Sequence, residues 1–119
     1  MKYTPDAKAK MHRLQDIAKA RRAVWDQCEA DRREALEQLV DARGALTLIR
    51  DHGGAARVGL AEAIERQEAI VAEADAKVKR AAARTQQAGE DMQAARQLVE
   101  RAEVFLTRKC GVPPSAIYR

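Results

Sequence analysis

The sequence predicts an all-α fold: a long antiparallel two-helix hairpin, an alanine-rich coiled coil that completes a helical bundle by oligomerisation or by docking on a partner. Three observations carry this expectation. Alanine recurs every seventh residue at Ala74, Ala81, Ala88, Ala95 and Ala102, interleaved with Val71, Val78, Thr85, Met92, Val99 and Leu106, which are the two seam positions of one heptad series. Aromatic residues make up only 3% of the 119 residues and charged residues 34%, the usage of long helices rather than of a compact core. Finally, Asp51-His52-Gly53-Gly54 is the one strong turn signal between two long stretches free of proline.

The elements follow in order, and the whole of residues 1–119 reads as a single hairpin. Thr4-Pro5-Asp6 is a helix start: a hydroxyl to cap free amides, proline at the first helical position, and an acid at the positive end of the dipole. Helix 1 is expected over about residues 5–51, the turn at 51–54 and helix 2 over about 55–110. Gly111 then supplies a left-handed cap, and Pro113-Pro114 forbid continuation, leaving an extended tail over 111–119. Gly59 and Gly89 fall inside this second helix and cost about 1 kcal/mol each relative to alanine. A short turn makes the helices antiparallel neighbours.

With the turn centred near residue 53, Cys28 lies beside Val78, Trp25 beside Ala81 and Ala82, Leu14 beside Met92, and Pro5 beside Arg101 or Ala102. The tryptophan then fills the space that small residues leave. Helix 1 repeats better at eleven than at seven, as in Leu14, Trp25 and Leu36 or Ile17, Cys28 and Leu39. Its winding should therefore differ from that of helix 2.

No enzyme signature is present, and the expectation is a non-enzymatic protein with no cofactor, metal or small-molecule substrate. His12 and His52 have no carboxylate at Glu-x-x-His spacing, and HExxH, P-loop and GxGxxG patterns are missing. Cys28 and Cys110 lie about 30 residues apart along the predicted hairpin, on the order of 45 Å, too far for a disulfide. The chain has no 18-residue apolar run and no apolar region near its first residues. A cytoplasmic protein, or part of a particle assembled in the cytoplasm, is expected, with no membrane association.

Two regions are candidate binding sites. The net charge of +4 is unevenly spread. Lys19, Arg21 and Arg22 on helix 1 and Lys77, Lys79, Arg80 and Arg84 on helix 2 occupy stretches without acids, and the predicted register sets them side by side as a positive belt. Such a belt suits phosphates or nucleic acid, without base-specific reading because aromatic and amide side chains are not interleaved. The second region is the open end. There helix 2 extends past Pro5, leaving Val104, Phe105 and Leu106 uncovered, Leu98 and Phe105 widen the apolar stripe, and the tail ends in Ile117-Tyr118-Arg119. Leu98, Val104, Phe105, Leu106, Ile117 and Tyr118 are the predicted protein-binding residues. The competing expectation is that the tail folds back and closes the end.

Outer-facing Val24, Val40, Ile49, Ile70 and Leu98 exceed what one seam can hold, so a lone hairpin is marginal and a protein partner or homo-oligomer is expected. The leading function is a structural or adaptor coiled coil that binds other proteins within a larger assembly. The alternatives are a nucleic-acid-associated protein using the basic belt, or a small inhibitor occupying a partner's groove. The predicted shape is broadly similar to the helical-hairpin stalk proteins of type III secretion and flagellar export, and to coiled-coil components of phage particles. That resemblance spans the chain but rests on periodicity, and it implies no residue roles. The Trp-x-Gly turn of small secreted helical-hairpin proteins is missing, since Trp25 is mid-helix.

Overall fold

A computed structural model describes residues 3–52 and 59–118. Helix α1 spans Pro5–His52, α2 spans Leu60–Lys109 and a single turn, α3, spans Pro114–Ile117. Among the described residues there is no strand, and the two long helices pack antiparallel as a hairpin.

The predicted caps form. The amide of Ala7 donates to Thr4 Oγ1 at 3.2 Å and that of Lys8 to the Thr4 carbonyl at 2.9 Å, so threonine satisfies donors that an α-helix otherwise leaves orphaned. At the far end of α2, Gly111 has φ +67° and the Val112 amide donates to the Leu106 carbonyl at 3.0 Å, closing the helix through a conformation that only glycine adopts freely. Arg108 and Lys109 occupy the last turn, where the dipole favours cations.

Three expected boundaries differ. Asp51 and His52 are still helical, while the predicted turn residues 53–54 and the predicted helix-2 start at 55–58 lie outside the described residues. Gly59 is not inside α2: it has φ +79° and precedes Leu60, its carbonyl accepting the Ala63 amide at 2.9 Å. The tail is not extended throughout either. Pro113 takes the extended conformation (φ −68°, ψ 145°) that a following proline imposes, but Pro114 then occupies the first turn of α3, where its missing N–H is no loss.

The later start of α2 moves the register by about one heptad. Thr85 Oγ1 lies 3.1 Å from the Cys28 carbonyl, where the short turn had placed Val78, and Trp25 meets Gly89 rather than Ala81 and Ala82. A shift of seven residues returns each side chain to nearly the same helix face. The seam therefore survives while every pairing changes. The predicted eleven-residue repeat on α1 does not describe its burial: Ala35, Leu39, Ala42 and Leu46 are buried at heptad spacing, and Leu36 is exposed. Small Ala35 and Ala42 hold seam positions that a reading weighted toward large residues assigns to Leu36.

The chain divides into two compact units. Unit 1 comprises Met1–Asp26 with Gln86–Arg119, and unit 2 comprises Gln27–Thr85. In unit 2, Leu39, Ala42 and Ala74 form the core with Val71 and Val78 packed on it. Its polar seam position, Thr85, is buried, and its hydroxyl also lies 2.9 Å from the Ala81 carbonyl. Gln67 Nε2 crosses to the Ala42 carbonyl at 3.0 Å. Arg50–Glu68 (3.1 Å) and Arg43–Asp75 (4.0 Å) join the two helices at the exposed margin, each contributing at most about 1 kcal/mol. In unit 1, Met11, Leu106, Val112 and Ile117 make the core, with Tyr3, Ala7, Val99, Ala102, Cys110 and Ala116 around it. Both cysteines are free.

Candidate protein-docking surface

The end that the predicted register left bare is covered in part by α1. Met11 packs with Leu106, and Ala7 with the same cluster, so α1 runs alongside the last turns of α2. The tail closes one flank of this pair. Ile117 is fully buried, Gln15 Nε2 donates to its carbonyl at 3.2 Å, and the Tyr118 hydroxyl donates to Glu103 Oε2. That hydrogen bond, then partial burial and the charges of Glu103 and Glu100, raise the Tyr118 phenol above its ordinary range. The Tyr3 hydroxyl, also buried here, has no hydrogen-bond partner among the described residues.

Of the six residues predicted to bind protein, the structure therefore separates two from four. Leu106 and Ile117 are buried in unit 1's own core, whereas Leu98, Val104, Phe105 and Tyr118 are exposed. Tyr118 belongs to the closed flank. On the opposite flank, a groove between α1 and α2 is lined by Lys10, Leu14 and Phe105 above the seam residues Met11 and Leu106. A second depression runs along α2 past Glu100, Arg101, Val104, Phe105, Arg108 and Lys109.

Two residues of this open flank were not among the predicted site residues. Ile17 and Val24 are about half exposed, as are Leu98 and Phe105. Each falls one position before a seam residue, as Leu98 does before Val99 and Phe105 before Leu106. In an antiparallel pair the same heptad position flanks the same side of the seam on both helices. The signal was present in the sequence, but it becomes readable only once α1 is given a seven-residue phase.

Charge distinguishes this flank from the predicted belt. None of Lys10, Arg101, Arg108 and Lys109 is paired with a carboxylate among the described residues. By contrast, Lys79 pairs with Asp75 at 3.1 Å and Arg80 with Glu73 at 3.2 Å. Lys77, Arg80 and Arg84 also line a groove in unit 2 with Asp31 and Glu34 of α1, because the heptad shift brings those acids opposite. In unit 1, Arg22 pairs with Asp26 at 3.5 Å and stacks 5.6 Å over the Trp25 ring. Lys19 lies beside Tyr118 on the closed flank, and Arg21 is exposed on α1. Unit 1 holds twelve basic and seven acidic residues and unit 2 ten and eleven, so unit 1 carries the chain's positive balance.

Among the described residues no group of three or more His, Cys, Asp or Glu side chains could hold a metal ion, and no helix is long and apolar enough to cross a membrane. Compared with known proteins, the chain matches no family model, no curated protein and no solved structure.

Proposed function

We propose that this chain is a non-enzymatic adaptor or structural element whose unit 1 docks onto another protein through the open flank of the α1–α2 pair. The observation that carries the reading is the asymmetry of that unit. Its own tail seals one flank of the seam, while the other presents Leu98 and Phe105, each about half exposed, beside cations with no carboxylate partner. Apolar side chains at heptad spacing on an unpartnered face are the usual substrate of helix-mediated association. Two-helix packing over alanine buries little volume per residue, so a third element adds stability that the hairpin lacks.

The nucleic-acid reading has less support, because Arg22, Lys79 and Arg80 of the belt are already paired with acids. The adaptor reading is tested by retrieving partners from the native host with the full chain, with L98D/F105D and with Val40→Asp, an exposed valine of unit 2. Partners retained by V40D and lost by L98D/F105D, at unchanged helix content, support docking through this flank. Equal loss from both variants, or from neither, refutes it.

A further inference from the structure

We infer that the occupant of the open flank is an acidic amphipathic helix of another protein, laid between α1 and α2 of unit 1 along Ile17, Leu98 and Phe105 as the third helix of a bundle. This inference rests on the adaptor reading and names the chemistry of its partner.

The shape of the site comes first. Ile17 and Val24 on α1 and Leu98 and Phe105 on α2 repeat at seven residues, and all four are about half exposed. Their shared heptad position sets them on one side of the seam, and at one end of that side Lys10, Leu14 and Phe105 line a groove between the helices. A stripe of that period is complementary to another helix carrying its own apolar residues three and four apart. From Phe105 back to Asp91 is fourteen residues, about 21 Å of helix, so an occupant of four to five turns spans it. The closed flank shows what such a seat accepts: Ile117, carried on a helical turn, is fully buried against Met11 and Leu106.

Charge then selects among occupants. Arg101, Arg108, Lys109 and Lys10 edge the apolar stripe and lack carboxylate partners; these four cations outnumber the acids, Asp6 and Glu100 in the two depressions beside Phe105 and Asp91 at the far end of the stripe. A partner bearing glutamate or aspartate at its margins gains these pairings, which steer the encounter and set specificity. A second copy docking through unit 1 would bring together two surfaces that each hold twelve basic and seven acidic residues. An anionic bilayer satisfies the cations but not the grooved, heptad-spaced apolar banks.

The test titrates the full-length protein against two synthetic helices of about 18 residues with identical leucines at seam positions and either glutamate or lysine elsewhere. The glutamate peptide should bind at least tenfold tighter, L98D or I17D should each weaken it tenfold or more, and R101E/R108E should reverse the preference toward the lysine peptide. Helix content of every variant, and unchanged binding by V40D, exclude unfolding as the cause. Equal affinity for both peptides, or no reversal in R101E/R108E, overturns the acidic-helix inference while the host partners lost by L98D/F105D keep the adaptor reading standing. Binding to phosphatidylserine vesicles, or self-association, that disappears in F105D while the glutamate peptide does not bind overturns it in favour of a bilayer or a second copy. If L98D/F105D also retains every host partner, the adaptor reading falls with it.

Discussion

The indole of Trp25 covers Gly89: a β-carbon added at Gly89 would stand 3.4 Å from Trp25 Nε1 and 3.5 Å from Cδ1. The sole tryptophan is thus accommodated by a missing side chain on α2 rather than by the alanines at 81–83. Because those distances are ordinary van der Waals contacts, Gly89→Ala should fit without moving the ring and gain up to about 1 kcal/mol of helix propensity. Gly89→Leu must displace the indole and should lose about 1–3 kcal/mol. Thermal melts of the two variants check the opposite signs.

The alanine seam makes a second prediction. Ala81 and Ala88 are buried in α2, and a methyl is all that each site holds. Leucine at either position should push the helices apart and destabilise by about 1–3 kcal/mol. Leucine at exposed Ala82 or Ala83 should change the melting temperature little, which controls for the larger side chain itself.

Much of this fold was legible because period and caps are local. The heptad through Ala74, Ala81, Ala88 and Ala95 and the Thr4 cap are properties of a few neighbouring residues, and the structure buries those alanines and forms that cap. Register was not legible, because it depends on how many residues the chain spends between helices. Gly53-Gly54 looked sufficient, yet Gly59, at φ +79°, still precedes α2. That one heptad decided the candidate site. It brought Met11 onto Leu106, set Asp31 and Glu34 facing the cations of α2, and left the half-exposed apolar stripe of Leu98 and Phe105 on the flank rather than on an overhang.

The same displacement bears on nucleic acid. With Arg22, Lys79 and Arg80 engaged by Asp26, Asp75 and Glu73, three of the belt's seven cations already have carboxylate partners, which weakens the belt as a phosphate site. At about 50 mM salt no gel shift is expected with duplex or single-stranded DNA, and the K79A/R80A/R84A variant should behave as the parent. A shift that falls steeply with salt and weakens in that variant would restore the belt as a binding site.

The tail closes unit 1, so its loss should be felt as stability. Ile117 is fully buried against Met11, and Ile117→Ala should cost about 2–5 kcal/mol. Removing residues 113–119 should lower the melting temperature by at least as much as that substitution. The association proposed through Leu98 and Phe105 on the other flank should persist in the truncated chain at a temperature where it remains helical. A truncation that melts like the full chain would show that the tail is not part of the core.

Tyr118 gives the tail a pH dependence whose sign follows from its partner. The neutral phenol donates to the Glu103 carboxylate, and that bond, with burial and the charges of Glu103 and Glu100, holds the phenol pKa above its ordinary value of 10.0. A pKa raised on folding stabilises the fold fully below the unfolded value and ceases to do so as pH rises through the folded one. The contribution is therefore present at neutral pH and lost above about pH 10, where the phenolate can no longer donate and is repelled by both glutamates. Since the side chain is largely exposed, the effect is small, and Tyr118→Phe should change neutral-pH stability by no more than about 0.5 kcal/mol. In a Tyr3→Phe background Tyr118 is the only tyrosine, so its ionisation can be followed by ultraviolet absorbance. Glu103→Gln should move that midpoint down toward the ordinary value, and an unmoved midpoint would show that Glu103 does not hold the proton on Tyr118.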